Sequence, residues 1–161
     1  MEVKKDVVPV EVKGLIPTAN GVAVFLGNPE KTFVIYVDHS VGSAIGMFMS
    51  GTAKERPLTH DLMAMVLEAL GASVQRVIIN DFKSGTFFGR LILTAENELQ
   101  QRKILEIDAR PSDCIALATQ QKAPIFVSQL VWDEVEDTTG LLEEMADESR
   151  RAAEQDDEGG A

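Results

Sequence analysis

An α+β fold with a mixed sheet is predicted from the order in which strand-like and helix-like segments follow one another. Three strand patterns come first, then two helical patterns, three more strands, and finally a helix, a strand and a helix. This βββ-αα-βββ-α-β-α order lacks the regular strand–helix alternation of a parallel α/β protein. We therefore expect helices that are grouped against a mixed β-sheet.

The first half of the chain begins with a predicted three-stranded meander. Valines alternate along one face of the first strand, and Pro9 is typical of an edge strand. The three strands are predicted at 7–15, 21–27 and 32–38. Residues 39–50 then show helical spacing of apolar side chains, and the small residues at 42–46 indicate close packing against another element.

The second half opens with the clearest helical pattern in the chain, at 59–70. Thr59 is a candidate cap and Gly71 a stop signal. The stripe of this helix consists of apolar residues at helical spacing: Leu62, Met63, Val66, Leu67 and Leu70. Beyond it we predict strands at 73–82, 86–94 and 102–108, a helix to about residue 122, a strand at 123–129 and a helix that begins at Leu130.

Composition indicates one ordinary globular domain. The chain has 161 residues, of which 45% are hydrophobic and 25% charged. No apolar run approaches the roughly 18 residues of a membrane span, and the first residues do not resemble a signal peptide, so we expect no membrane association. A single cysteine, Cys114, excludes an internal disulfide framework and fits a cytoplasmic location. Its apolar surroundings favour an inert core thiol over a nucleophile.

The acidity of the chain is concentrated at its C-terminal end. The formal net charge is −11, but residues 133–161 hold twelve acids and two bases, which leaves residues 1–132 with a charge of only −1. We therefore predict a folded domain at 1–134 and an acidic tail at 135–161 that is partly helical or disordered. The tail is either a solvated extension or an acidic element that competes with nucleic acid for a basic site.

Two helix starts share an unusual arrangement of side chains. Arg56-Pro57-Leu58-Thr59-His60-Asp61 and Arg110-Pro111-Ser112-Asp113 each place an arginine, a proline, a hydroxyl and a carboxylate before an apolar helix. Capping explains the hydroxyls and carboxylates, because helix N-termini favour negative partners. It does not explain the arginines, which together with free amides are typical of an anion or phosphate site. Both alternatives, plain helix starts and an anion site, remain open at this point.

The same two segments carry a resemblance to a known family. The run Asp108-Ala109-Arg110-Pro111-Ser112-Asp113-Cys114-Ile115-Ala116-Leu117-Ala118, with Arg56-Pro57-Leu58-Thr59-His60-Asp61-Leu62 upstream, resembles the bifunctional nuclease family, long known only as a domain of unknown function. The resemblance extends from about Val7 to about Glu134. Cys114 stands where the family usually has alanine. Membership implies hydrolysis of DNA and RNA phosphodiester bonds.

Phosphodiester hydrolysis needs positive charge, an activated water and a proton donor, and the two segments supply candidates for each. Arg56 and Arg110 are predicted to contact phosphate oxygens, with the hydroxyls of Thr59 and Ser112 as further substrate contacts. His60 is the candidate general acid or base, although a solvated histidine is the simpler explanation. Asp113 is a candidate catalytic carboxylate, and with Asp61 it is the candidate ligand of Mg²⁺ or Mn²⁺. Asp38 and His39, at the end of the third strand, form a second carboxylate–imidazole pair that is a candidate addition to this site.

Two classes of function follow from this pattern. The first is a nuclease of low sequence specificity. Because residues 1–132 are nearly neutral, we expect its binding to nucleic acid to be weak, and we expect this binding to be strongly salt-dependent. The second is a non-catalytic binding or assembly module that uses the Arg-Pro-hydroxyl-Asp helix starts. A homo-oligomer, with a dimer favoured, is expected for either class, because strand edges and the small-residue helix invite pairing and Trp132 is a candidate interface residue.

Overall fold

A computed structural model describes residues 6–160 and confirms the α+β prediction. This part of the chain has seven strands and five helices in the order βββ-αα-βββ-α-β-α-α. The strands are β1 (Val7–Thr18), β2 (Gly21–Gly27), β3 (Thr32–Val37), β4 (Ala72–Lys83), β5 (Thr86–Glu96), β6 (Arg102–Ala109) and β7 (Ile125–Ser128). The helices are α1 (His39–Ser50), α2 (Thr59–Ala69), α3 (Pro111–Gln121), α4 (Gln129–Glu134) and α5 (Thr139–Glu158). Among the described residues, no helix has the length and apolar character that a bilayer crossing requires.

All seven strands form one mixed sheet in the order β3-β2-β1-β7-β4-β5-β6. The pair of β4 and β7 is parallel, and the remaining pairs are antiparallel. The meander β1-β2-β3 and the second meander β4-β5-β6 do not pair directly with each other. The four-residue strand β7 lies between them, because it pairs with β1 on one side and with β4 on the other.

The sheet is strongly curled around its helical layer. Phe33 of β3 and Phe87 of β5 have ring centroids only 5.8 Å apart, although four strands separate β3 from β5 in the sheet. Trp132 of α4 meets the same Phe33 ring edge-on at 6.2 Å. The two ends of the sheet therefore approach each other on the face that carries α1, α3 and α4. Trp132 is buried in the core of the single chain. Its side chain is therefore not available as the interface residue that the sequence suggested.

Helix α3 is the central element of the core. Seven of its eleven residues are buried, and it packs against α1 and against the strands β4 and β5. Cys114 is completely enclosed there. Burial raises the pKa of the Cys114 thiol to about 12, which confirms the prediction of an inert core thiol.

The segment after residue 134 is more ordered than a simple tail. Val135 still belongs to the main core, and the Thr138 hydroxyl donates a hydrogen bond to the Thr32 carbonyl at 3.0 Å. Helix α5 then packs Leu142 and Met145 on the opposite face of the sheet, against Ile16, Ala23 and Phe25. Gly14 permits this contact, since a Cβ at that position would lie 2.7 Å from Leu142 Cδ1. The second half of α5 is fully exposed.

The apolar stripe of α2 does not face the core. Only His60 is buried on this helix, and Leu67 packs against the main cluster. The other members of the stripe, together with Met65, are between 39% and 73% exposed: Leu62, Met63, Met65, Val66 and Leu70. The spacing predicts the helix correctly but gives no indication that its apolar side is open to solvent.

Two glycines of α1 provide a test of the predicted close packing. We expect Gly42→Ala to destabilise the fold by about 1–3 kcal/mol, because its Cβ would lie 2.6 Å from Val22 Cβ, a branched side chain on β2 with little freedom to move. Urea denaturation measures the free energy of unfolding. The matched control is Gly46→Ala in the same helix, where the nearest atom is Leu15 Cδ1 at 3.8 Å. This change should stabilise by about 0.5–1 kcal/mol through helix propensity alone, so equal effects of the two substitutions would contradict the packing argument.

Candidate functional site

The two helix starts that share a motif contact each other directly. His60 Nε2 lies 3.0 Å from Asp113 Oδ1, which joins the first turn of α2 to the first turn of α3. His60 is only 6% exposed, and its ring meets the edge of Phe48 at 6.4 Å. A solvated histidine is therefore ruled out. The buried imidazole instead forms a partly buried hydrogen bond that joins the two segments.

The caps of these helices differ from the sequence prediction. The N-cap of α2 is Leu58, and the Asp61 carboxylate satisfies the Leu58 backbone N–H at 2.8 Å. The N-cap of α3 is Arg110, followed by Pro111 in the first turn. Thr59 and Ser112 thus lie one and two residues inside their helices, and neither is the capping residue. Their proposed substrate contacts stay predictions, with Thr59 exposed and Ser112 buried.

Arg110 is the exposed member of the cluster. Its Nε donates to Asp113 Oδ2 at 2.9 Å, and its Nη1 lies 3.8 Å from Asp38 Oδ2. The side chain is 65% exposed, so Arg110 does not neutralise a carboxylate inside the core. The hydrogen bond that Arg110 donates to Asp113 raises the pKa of Arg110 above its usual value. Because most of this side chain is exposed, the guanidinium remains accessible to a ligand while it contacts the two carboxylates.

Asp38 completes the cluster from the other end of the sheet. It is the N-cap of α1, and its Oδ1 accepts a hydrogen bond from the Val41 backbone N–H at 3.0 Å. That backbone hydrogen bond is the main reason why the pKa of Asp38 lies below its usual range. The first turns of α1 and α3 therefore meet at the Arg110 guanidinium.

Asp113 is held as a carboxylate by its neighbours. Burial raises the pKa of Asp113, but the hydrogen bonds from Arg110 and His60 outweigh this effect and hold the pKa below its usual range. The side chain is 28% exposed, so one edge of the carboxylate is open to solvent. Asp113 is consequently ionised at neutral pH and rigidly oriented.

Arg56 and Asp61 lie in a separate cleft on the other side of the start of α2. This cleft, with a volume of about 640 Å³, is lined by the loop before α2, by α2 itself and by the end of α3. Lys54 Nζ lies 3.3 Å from Asp61 Oδ2, and Gln120 Nε2 donates to Asp61 Oδ1 at 3.2 Å. Burial raises the pKa of Asp61, but hydrogen bonds, first that from Leu58 N–H, reverse the shift to a net lowering. The predicted site residues are thus divided into a His60–Asp113–Arg110 cluster and an Arg56–Asp61 cleft.

The carboxylates fit a shared metal ion poorly. Asp113 belongs to the first turn of α3, whereas Asp61 contacts Gln120 near the last turn of the same helix. Both carboxylates already accept hydrogen bonds from cationic side chains. Within residues 6–160, no group of three or more His, Cys, Asp or Glu side chains is arranged to hold an ion. The metal ligands Asp61 and Asp113 and the ion Mg²⁺ or Mn²⁺ stay predictions.

Comparison with known proteins decides the family. The model of the bifunctional nuclease domain matches residues 24–139, which include both helix starts and every contact of the cluster. The chain belongs to the bifunctional nuclease domain family. Two curated relatives, uncharacterized proteins from the CDC 1551 / Oshkosh and H37Rv strains of Mycobacterium tuberculosis, are each 33% identical over 132 residues. The match covers 81% of this chain and 73% of each relative. The resemblance seen in the Arg-Pro segments is thereby confirmed, and the activity implied for the chain comes from the family description.

The lowered pKa of Asp113 predicts a pH-dependent contribution to stability. Asp113→Asn should cost about 1–3 kcal/mol at pH 7, because the charge-assisted bonds to Arg110 and His60 are weakened. A carboxyl whose pKa is lower when folded stabilises above its unfolded value of about 3.9 and loses this effect as pH falls through the folded value. The difference in unfolding free energy between parent and variant should therefore shrink below about pH 4.

Urea denaturation at pH 7 and at about pH 3 measures this difference. The control is Asp147→Asn, which removes an exposed carboxylate paired with Arg150 on α5 and should change stability by less than about 0.5 kcal/mol at either pH. A loss in Asp113→Asn that is equally large at both pH values would show that the carboxylate charge is not responsible.

Proposed function

We propose that the chain is a cytoplasmic nuclease that hydrolyses DNA and RNA phosphodiester bonds with low sequence specificity and with the assistance of a divalent metal ion. The observation that carries the proposal is the direct contact between the two family segments, through His60 and Asp113, beside the exposed Arg110. This contact joins residues that are 53 positions apart into one polar cluster inside the matched domain.

Arg110 is the proposed phosphate contact. Its guanidinium lies where the first turns of α1 and α3 meet, and such turns carry free backbone N–H groups and a positive dipole end. Asp38 and Asp113 hold the guanidinium in a defined orientation, so that little side-chain entropy is lost when it binds an oxyanion. Charge-assisted bonds of this kind are among the stronger hydrogen bonds in proteins.

The roles of Asp113 and His60 follow from their exposure. Asp113 is ionised and partly open to solvent, so it is the proposed acceptor of the proton from an attacking water. Because its pKa is low, it is a weak base, which predicts slow hydrolysis. His60 is too buried to contact a polymeric substrate. Its proposed role is to position Asp113, in place of the direct acid–base role considered from the sequence.

The cleft beside α2 is the proposed site for a neighbouring part of the nucleic acid. Arg56 and Lys54 supply positive charge there, but Lys54 is already paired with Asp61. With a body charge of only −1, attraction over long distances is weak. We therefore propose weak binding that is strongly salt-dependent.

A metal ion, where one binds, would supply Lewis-acid polarisation of the phosphate and a more acidic water. Asp113 and Asp61 are the carboxylates proposed to hold such an ion, each at its own position, because they lie near opposite ends of α3. Asp61 would have to release Lys54 to bind the ion, whereas Asp113 would offer the edge of its carboxylate that is open to solvent and keep its contact with Arg110.

A non-catalytic binding or assembly module is the second candidate. It is favoured by one observation: the carboxylates of the cluster and of the cleft are all paired with side chains or backbone groups of the same chain. In this case the cluster serves to fix the starts of α1, α2 and α3, and Arg110 binds no phosphate.

Replacement of Arg110 separates these two functions. We expect Arg110→Gln to lower nuclease activity on single-stranded DNA and RNA by about ten- to a hundredfold, because one charge-assisted contact contributes roughly 1.5–3 kcal/mol. Unfolding free energy should change by no more than about 1 kcal/mol, since the side chain is largely exposed. The matched control is Arg151→Gln on the exposed half of α5. Activity that is unchanged in Arg110→Gln, or that is equally reduced in both variants, would favour the assembly module.

Chelation tests the metal-assisted part of the proposal separately. Purified protein treated with EDTA should lose its cleavage of single-stranded substrates, and added Mg²⁺ or Mn²⁺ should restore it. The assay includes Asp113→Asn, which should be inactive under all conditions. Cleavage that persists in EDTA yet disappears in Asp113→Asn would retain the nuclease and remove the metal. Cleavage that separates from the protein during purification would remove both.

A further inference from the structure

Strand β6 is an unprotected edge of the sheet. In the described part of the chain it pairs with β5 alone, so one side of its backbone is free along eight residues. Ile104 is 66% exposed and Ile107 is 43% exposed on opposite faces of this strand. Exposed edge strands pair readily with other strands unless they are covered or their charges repel the partner. Four of the eight residues of β6 are charged, so the sign and position of these charges determine which partner the edge admits. A partner strand beside β6 would reduce the exposure of both side chains, because cross-strand neighbours contact each other on each face of a sheet.

The charges on β6 are arranged so that the strand is complementary to itself. Its first two residues, Arg102 and Lys103, are basic, and the acidic residues Glu106 and Asp108 follow near its end. In an antiparallel pair of two such strands, the basic start of one lies beside the acidic end of the other. Opposite charges on neighbouring strands stabilise pairing, whereas like charges oppose it. Glu106 and Asp108 already lie 3.7 and 3.6 Å from Arg90, and Arg102 lies 3.5 Å from Glu96, where Arg90 and Glu96 are both on β5 of the same chain. These contacts leave the three β6 side chains 60–77% exposed, so they remain available to a second strand with the charges of β6 itself.

The exposed apolar side of α2 ends close to the same edge. Gly71, directly after α2, accepts a hydrogen bond from the Glu96 backbone N–H at 2.9 Å. Glu96 in turn lies opposite Arg102, the first residue of β6. The C-terminal end of α2, with the exposed Leu70, is thus separated from the start of β6 by a single strand. The exposed apolar side chains of α2 lie next to one another, and a contiguous apolar surface is typical of an interaction site.

We propose that two copies of this chain associate through antiparallel pairing of their β6 strands, with the apolar ends of the two α2 helices flanking the junction. The pairing is two-fold symmetric, so that both copies use the same surface and every contact of the interface occurs twice. It joins the two seven-stranded sheets into a continuous sheet of fourteen strands (7 + 7). This inference concerns assembly and does not depend on nuclease activity.

Charge exchange between the two strands tests the proposal. The acidic variant Arg102→Glu/Lys103→Glu and the basic variant Glu106→Lys/Asp108→Lys each give β6 charges of one sign along its whole length. Either variant alone should dissociate, with a dimer Kd weakened by at least about tenfold, because like charges face each other across the pair. An equimolar mixture should form a heterodimer, since an acidic strand then meets a basic one. Sedimentation velocity on the full chain measures the mass.

The control is Arg150→Glu/Arg151→Glu, which reverses two adjacent exposed charges on the distal half of α5. Parent and control should sediment at about 35 kDa (2 × 17.5 kDa), and each β6 variant at 17.5 kDa. Thermal unfolding of every variant verifies that it is folded, and the recovery of a 35 kDa species on mixing excludes simple misfolding as the cause of dissociation.

Three results would overturn the proposal. The first is a parent that remains at 17.5 kDa at concentrations of tens of micromolar. The second is a dimer that persists in both β6 variants. The third is a dimer that survives β6 charge reversal but dissociates in Val66→Glu/Leu70→Glu, which would place the interface on α2 alone. Failure of nuclease assays has no bearing on any of these outcomes, so the assembly and the activity are tested independently.

Discussion

The pairing of β7 with both β1 and β4 is the constraint on which the rest of the structure depends. Each meander can form from local hairpin contacts, but only this four-residue strand joins them into one sheet. Ile125 and Val127 of β7 are buried under the helical layer, so the strand also contributes to the core. Because β7 follows α3 directly, the burial of α3 and the closure of the sheet are achieved by the same segment of chain. The join is parallel to β4 and antiparallel to β1, which is why the sheet is mixed.

The polar cluster is a consequence of the curl that this join permits. Asp38 follows β3 and Arg110 follows β6, and these two strands are the opposite edges of the sheet. In a flat sheet the two residues would be six inter-strand spacings apart, at roughly 4.8 Å each. Here the sheet wraps around α1 and α3 until their first turns meet. An arginine and a carboxylate at the start of a buried helix are therefore compatible with burial, since Asp113 is satisfied by Arg110 and His60 while Arg110 remains at the surface.

Local features of the structure could be predicted from the sequence, and long-range ones could not. Helix α1 and strand β2 have the predicted bounds, because period and turn residues are local signals. The small residues of α1 indicate close packing correctly at Gly42 but not at Gly46, where space is open. The motif segments indicate the cluster of His60, Arg110 and Asp113, yet they do not separate it from the cleft that holds Arg56. That division depends on how α2 crosses α3, which neither segment encodes alone.

The exposed side of α2 shows why an amphipathic pattern does not identify the surface that a helix buries. Its stripe has the spacing of a core-facing helix, but the side that packs on β4 and α3 carries His60 and Leu67. A helix that is apolar on both sides is typically buried on both sides. In the proposed dimer, this side of α2 flanks the paired β6 strands, and each β6 leads directly into Arg110. The two Arg110 clusters would then belong to one rigid sheet. Two weak phosphate contacts that bind one nucleic-acid strand together have a higher combined affinity than either contact alone, provided that their spacing allows simultaneous binding. Assembly through β6 would in this way compensate for the low positive charge of a single copy.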